Sequence, residues 1–126
     1  MNVVEMRGSG GPEVLYPARR PIPQPGPGEV LIRVIVAGVN RPDIQQRRGL
    51  YPPPPGASDL LGLDVSGVIE AVGEGVTGLS RGDAVCALVN GGGYAEYCTV
   101  SSLQCMPIPM GFSFAQAASL PEVFFT

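Results

Sequence analysis

The residue types that most often carry catalysis are scarce in this chain. It contains no histidine, which removes the commonest general base and the commonest metal ligand together. Cys86, Cys98 and Cys105 form no CxxC pair and are expected to be reduced core or strand residues. Tyr51 remains as a candidate functional residue. Four consecutive prolines follow it directly and restrict the backbone around its phenol.

One glycine motif matches the sequence pattern of a dinucleotide-binding site. Gly73 to Gly78 spells G-x-G-x-x-G directly after an apolar run. The dinucleotide fingerprint requires a helix to begin there, because the pyrophosphate rests on the helix N-terminus. Leu79 to Asp83 and a second apolar run follow instead, so we predict a loop between strands. Arg81 to Asp83, which spells the cell-adhesion tripeptide, is read as a turn in that loop.

The elements that would position these residues are mainly strands. Gly62 to Gly78 and Glu29 to Asn40 are rich in β-branched residues, which favours buried strands, and Gly67 predicts a bulge or a close backbone approach. Asn40 to Gly49 reads as a short helix with proline in its first turn, and Ser113 to Leu120 as another with a capping box. The glycine run before Tyr94 predicts a hairpin or a corner.

Composition excludes several classes of protein. The chain has 126 residues, 44% hydrophobic and 15% charged, which is typical of a globular domain with a core. The net charge of −3, without a basic stripe, argues against nucleic-acid binding. No stretch is long enough to predict a membrane span and no signal-peptide pattern is present, so we expect a cytoplasmic protein.

The order of motifs resembles the N-terminal, GroES-like catalytic domain of the medium-chain dehydrogenase/reductase superfamily, in its zinc-independent quinone oxidoreductase branch. The resemblance covers essentially the whole chain. It is carried by GGPEVL at 10–15, PGPGEVLIRV at 25–34, GVNRPDIQQRRGLYPPPPGAS at 38–58, GLDVSGVIEAVGEGV at 62–76, GDAVCAL at 82–88, GGGYAEY at 91–97 and AASLPEVFFT at 117–126.

This resemblance implies a mainly β fold, a GroES-like, partly open β-barrel with a few short helices. Residues 1–111 would form the catalytic domain, and 112–126 would start the helical connection to a Rossmann cofactor domain that the sequence does not include. The full-length enzyme would be a homo-oligomer that uses NADPH to reduce a quinone or another conjugated carbonyl. We expect the present chain alone to be inactive and to bind NADPH weakly if at all. It should either self-associate through its C-terminal residues, where Phe124 and Phe125 form an apolar patch, or leave those residues disordered.

The resemblance also implies that no metal is bound. Zinc-containing relatives have Cys at the position of Asn40 and Gly-His-Glu at that of Gly62, Leu63 and Asp64. Leucine cannot bind a metal, and one Asn with one Asp makes a poor zinc site.

Tyr51 is the catalytic candidate, since quinone-reducing relatives place an active-site tyrosine at this position. Its hydroxyl would stabilise the negative charge that develops on the acceptor oxygen. Packing of its ring on Pro52 and Pro53 is the alternative. Some relatives have a second tyrosine where this chain has Gln45, so a scheme with two tyrosines is not expected.

Two cofactor contacts follow from the same resemblance. Asn40 would lie beside the nicotinamide, although it is also a suitable helix N-cap, and Thr126 would lie near the carboxamide. Asp43 is interpreted as a helix-dipole residue paired with a nearby arginine.

A free-standing GroES-like binding module without catalysis is the alternative function. A zinc alcohol dehydrogenase fragment is nearly excluded by Leu63.

Overall fold

A five-stranded antiparallel sheet organises residues 1–122, the part of the chain that our computed structural model describes. Its strand order is β6-β3-β4-β5-β7, and β1 and β2 form a separate two-stranded sheet. The strands are β1 (Asn2–Met6), β2 (Leu15–Arg19), β3 (Glu29–Ala37), β4 (Asp64–Val72), β5 (Ala84–Leu88), β6 (Tyr97–Ser101) and β7 (Cys105–Pro107). The helices are α1 (Arg41–Arg47) and α2 (Phe114–Ala118), with 3-10 turns at Pro12–Val14 and Ser102–Gln104.

The core lies on the inner face of the five-stranded sheet. β-branched residues predominate in it, as expected for a pleated, buried surface. Its fully buried members include Val30, Ile32, Val65, Ile69 and Val85. The predicted mainly β, GroES-like fold is confirmed, and in the described residues the sheets do not close into a barrel.

Gly67 allows the two longest strands to approach each other. It pairs with Val34 between β4 and β3, next to a shift in register between Val34 and Val36. A Cβ atom at this position would overlap the main-chain oxygen of Arg33. The predicted close backbone approach is therefore confirmed, and only glycine fits without moving a strand.

α2 covers one end of the sheet and begins as predicted. The Ser113 hydroxyl accepts the Gln116 main-chain N–H, and the Gln116 side chain accepts the Ser113 N–H, which completes a capping box. Ala117 and Ala118 are buried, and α2 contacts β3, β4 and β5. The hydroxyl of Ser66, in β4, donates to the main-chain oxygen of Phe114, so α2 is tied to the central strand.

The two glycine-rich segments are loops. No helix follows Gly73–Gly78, as predicted, and a Cβ at Gly73 would overlap the main-chain oxygen of Gly26, so this loop packs against backbone. The run before Tyr94 is a corner, because β5 pairs with β4 and β7, whereas β6 pairs with β3.

The cysteines lie where the sequence predicted. All three cysteines are free thiols, with Cys86 and Cys98 buried in strands and Cys105 half-buried, in agreement with the prediction.

Within residues 1–122, no helix has the length and hydrophobicity that crossing a bilayer requires.

Candidate functional site

The start of α1 is the polar centre of the structure. Asn40 occupies the N-cap position, as predicted, and its main-chain oxygen accepts the Asp43 N–H at 3.0 Å. The Asp43 carboxylate reaches back to the Asn40 N–H at 2.9 Å. Pro42 fills the first turn, where no main-chain donor is needed. Local sequence therefore accounts for this helix start.

Asp43 corrects one sequence-based interpretation. Its side chain is only 2% exposed, and no arginine pairs with it among residues 1–122. Besides Asn40, it accepts the Gly62 main-chain N–H at 3.1 Å and the Tyr94 hydroxyl at 3.1 Å. A buried carboxylate held by three donors ties α1 to two distant loops. The ion-pair interpretation is therefore wrong.

A second buried carboxylate orients the Asn40 side chain. Asp64, the first residue of β4, is 0% exposed, and its Oδ1 accepts the Asn40 Nδ2 at 2.9 Å. Its Oδ2 accepts the Glu122 main-chain N–H at 3.3 Å. Gly38 leaves the necessary space, because a Cβ there would overlap Asp64 Oδ1. Asn40 itself is half-buried, so its amide lies at the edge of this network.

Burial controls the protonation of the groups around Asn40. Desolvation raises the pKa of Asp64, although the donors from Asn40 and Glu122 oppose that effect. Desolvation also raises the pKa of the Tyr94 hydroxyl, and the neighbouring Asp43 charge adds to the shift. Tyr94 therefore stays protonated and donates its hydrogen to Asp43, so its hydroxyl is not available to a ligand.

Tyr51 lies on the wall of a cavity of about 480 Å³. Its ring is 47% exposed, and among residues 1–122 no protein acceptor engages its hydroxyl. Pro52 and Pro53 line the same cavity beside it. This volume lies in the range of about 300–1,000 Å³ that is typical of small-molecule sites.

The charged groups that line this cavity are paired with one another, two carboxylates around one guanidinium. Arg20 is the cation among the described lining residues, and its Nε donates to Glu5 at 2.7 Å. Its two terminal nitrogens donate to Asp59 at 2.8 and 2.9 Å. The Arg20 guanidinium lowers the pKa of both carboxyl groups, so the three groups stay charged and paired. The cavity thus offers no free cation to an anionic ligand.

The structure thus places the predicted site residues in two settings. Asn40 belongs to the buried carboxylate network, whereas Tyr51 lines the cavity, and Asn40 is not among the residues that line it. Thr126 lies outside the described residues. The sequence analysis missed the structural roles of Asp64 and Tyr94. The available signal was an acidic residue at the first position of a strand that is otherwise mostly apolar.

Known proteins resemble this chain throughout its length. It is 37% identical over 128 aligned residues to the quinone oxidoreductase of Rattus norvegicus, which covers 100% of the chain and 39% of the relative. It is 36% identical over 126 residues to the synaptic vesicle membrane protein VAT-1 homolog-like of Mus musculus, covering 100% of the chain and 30% of the relative. The chain therefore spans well under half the length of these curated relatives.

Solved structures agree with that similarity. The Escherichia coli quinone oxidoreductase complexed with NADPH superposes with a TM-score of 0.86 at 30% identity, over 95% of this chain and 37% of that one. A mycobacterial quinone oxidoreductase gives a TM-score of 0.83 at 39% identity, over 94% of this chain and 37% of that one.

A family model matches the central part of the chain. The alcohol dehydrogenase GroES-like domain aligns with residues 26–110, which include β3 to β7, both buried carboxylates and Tyr51. The sequence motifs, the fold and this match agree, and the chain belongs to the family of alcohol dehydrogenase GroES-like domains.

Proposed function

We propose that this chain is the catalytic domain of an NADPH-dependent, zinc-independent oxidoreductase that reduces quinones or other conjugated carbonyls. The observation that carries the proposal is the Tyr51 hydroxyl, which has no partner among residues 1–122 and lies on a cavity of small-molecule size. The relatives named quinone oxidoreductase support the same class of reaction. NADPH, when bound, supplies the hydride.

The cavity suits an uncharged acceptor. Its charged groups, Glu5, Arg20 and Asp59, are paired with each other, and Leu60 and Leu61 provide apolar surface. A flat ring with two carbonyl oxygens can pack on such surface and accept a hydrogen bond from Tyr51. As negative charge develops on the acceptor oxygen, that hydrogen bond strengthens, and this difference is what lowers the barrier.

The residues of this chain fit the nicotinamide end of the cofactor rather than its phosphates. Asn40 offers an oriented, half-buried amide at the start of α1. The G-x-G-x-x-G loop at Gly73–Gly78 is followed by no helix, and Gly73 packs on Gly26, so it does not provide a pyrophosphate site. We propose that a Rossmann domain in the full-length polypeptide holds the phosphates and that Thr126 contacts the carboxamide.

The proposal is tested by assaying the full-length polypeptide that carries this chain. NADPH oxidation is followed with an uncharged quinone, with an enone, and without an acceptor. We expect oxidation to depend on the acceptor, with NADPH binding detectable by nucleotide fluorescence. A protein that binds NADPH but reduces no quinone or enone would overturn the proposed reaction class.

A binding module without catalysis is the competing function. The relatives named as VAT-1 homologs share the same fold and similar identity, and quinone reduction is not part of their names. The same experiment separates the two functions. A full-length polypeptide that binds no NADPH would favour the binding module.

We predict that the protein binds no zinc. Among residues 1–122 no cluster of three His, Cys, Asp or Glu side chains could hold a metal ion. Asp64 is instead committed to Asn40 and the Glu122 N–H. Elemental analysis of protein purified without chelators should find far less than one zinc per chain. A near-stoichiometric zinc content would contradict the prediction.

A further inference from the structure

The structure assigns to Asp64 the role of a positioning residue: it holds the amide nitrogen of Asn40 so that the Asn40 amide oxygen accepts a hydrogen bond from the nicotinamide riboside. This inference rests on the proposed function, because it assumes that Asn40 contacts the cofactor. Asp64 itself does not touch the cofactor in this proposal. It acts only through the orientation of Asn40.

Burial of the Asp64 carboxyl group is energetically unfavourable, so packing alone does not explain its presence. Its carboxyl group is fully buried, and no cation pairs with it among residues 1–122. Burying a carboxylate without an opposite charge is unfavourable unless hydrogen bonds compensate. Asp64 has two, from Asn40 and from the Glu122 main-chain N–H. Gly38 is also required, because a side chain there would fill the space that Oδ1 occupies.

The chemistry of the pair determines which end of the amide faces Asp64. The Asn40 Nδ2 donates to Asp64 Oδ1 at 2.9 Å, so the NH₂ end of the amide faces the carboxyl group. This is the orientation that an ionised carboxylate, which only accepts hydrogen bonds, requires. The oxygen is then the end of the amide that Asp64 does not hold. The capping box of α1 directs this oxygen at the Asp43 main-chain N–H. An amide oxygen has two lone pairs, and in this half-buried side chain the second can accept an N–H or O–H from the riboside or its carboxamide.

Replacing Asp64 by Asn should turn the Asn40 amide around. Asn has the shape of Asp but has one oxygen and one NH₂ group in place of two acceptors. The Glu122 main-chain N–H is a fixed donor, so the side-chain oxygen of the introduced Asn takes the place of Asp64 Oδ2 and accepts this hydrogen bond. The new NH₂ group then faces Asn40, whose amide must rotate to avoid two opposed donors. The Asn40 NH₂ would replace its oxygen at the ligand.

The test measures NADPH dissociation constants by nucleotide fluorescence, together with thermal unfolding, in the full-length polypeptide. We expect Asp64→Asn to weaken NADPH binding about tenfold, as for the loss of one hydrogen bond, without lowering the unfolding midpoint. Asn40→Asp alone should weaken binding at least as much, because two carboxylates would then face each other.

The combined variant provides the decisive comparison. With Asn40→Asp and Asp64→Asn together, the introduced amide keeps its oxygen on the Glu122 N–H and donates its NH₂ to the introduced carboxylate. The second oxygen of that carboxylate then replaces the original amide oxygen at the ligand. We expect this double variant to recover most of the NADPH affinity that either single variant loses. A purely structural role for Asp64 predicts that the two losses add.

Ser66→Ala is the matched control. Ser66 is also fully buried in β4 and ties α2 to the sheet through Phe114, but its hydroxyl bonds to Phe114 rather than to Asn40. It should lower the unfolding midpoint and leave the NADPH dissociation constant within about twofold. Unchanged binding in Asp64→Asn, or no recovery in the double variant, would overturn the inference. Absence of NADPH binding by the unmodified protein would instead overturn the proposed function.

Discussion

Tyr51→Phe in the full-length polypeptide should lower kcat for quinone reduction about a hundredfold, with little change in KM. The substitution removes only the hydroxyl, so the ring can keep its place beside Pro52 and Pro53 on the cavity wall. Loss of one preorganised donor to a developing oxyanion typically costs about a hundredfold or more in kcat. A donor that acts mainly in the transition state affects kcat more than KM. Steady-state kinetics with an uncharged quinone measures both constants.

Tyr97→Phe is the control for this variant. Tyr97 is half-buried, whereas Tyr51 is exposed, and it lines a separate cavity of about 260 Å³, which Tyr51 does not line. Its substitution should leave both kinetic constants within about twofold, as for a surface change away from the site. Equal losses in the two variants, or unchanged kinetics in Tyr51→Phe, would leave Tyr51 as a residue that packs on the prolines.

Gly67→Ala should destabilise the fold by about 3 kcal/mol, at the upper end of what overpacking of a core usually costs. The added methyl group would overlap the main-chain oxygen of Arg33 and lie 3.0 Å from a methyl carbon of Ile32. The Arg33 oxygen belongs to the main chain of β3, so it cannot move without separating β3 from β4, which are neighbours in the sheet. Urea unfolding, followed by circular dichroism, gives the free energy of unfolding for each variant.

Gly26→Ala tests whether this loss reflects the close approach rather than glycine replacement in general. Neither Gly67 nor Gly26 has a positive φ angle, so backbone strain does not distinguish them. At Gly26 the nearest atom is a carboxylate oxygen of Glu29 at 3.3 Å, at the end of a side chain that can move. We expect a change of less than about 1 kcal/mol there. Similar losses in both variants would contradict the packing explanation.

Local sequence was sufficient to predict the elements of this protein. The β-branched run at 64–72, the capping box from Ser113 to Gln116 and Pro42 in the first turn of α1 act through residues at most a few positions apart. The absence of a helix after Gly78 could be predicted for the same reason. The order of the motifs along the chain was distinctive enough to indicate the family.

Tertiary structure alone decided which of these elements meet. The glycine-rich turn before Tyr94 was compatible with a hairpin or a corner, and the strand order made it a corner by placing β7, rather than β6, beside β5. Asp43 was interpreted as a helix-dipole residue paired with an arginine, because its actual partners Gly62 and Tyr94 lie 19 and 51 positions away.

For the candidate site, too, the sequence determined some features and the tertiary structure decided others. The sequence by itself determined that Tyr51 follows a helix and precedes a rigid proline run, and that Asn40 can cap that helix. It did not determine that Asp64, 24 positions from Asn40, orients the Asn40 amide. That contact exists because Gly38 leaves space beside the start of β4, next to the α1 N-terminus. Side-chain patterns specify local conformation, whereas the partner of a buried polar group depends on how distant strands pack.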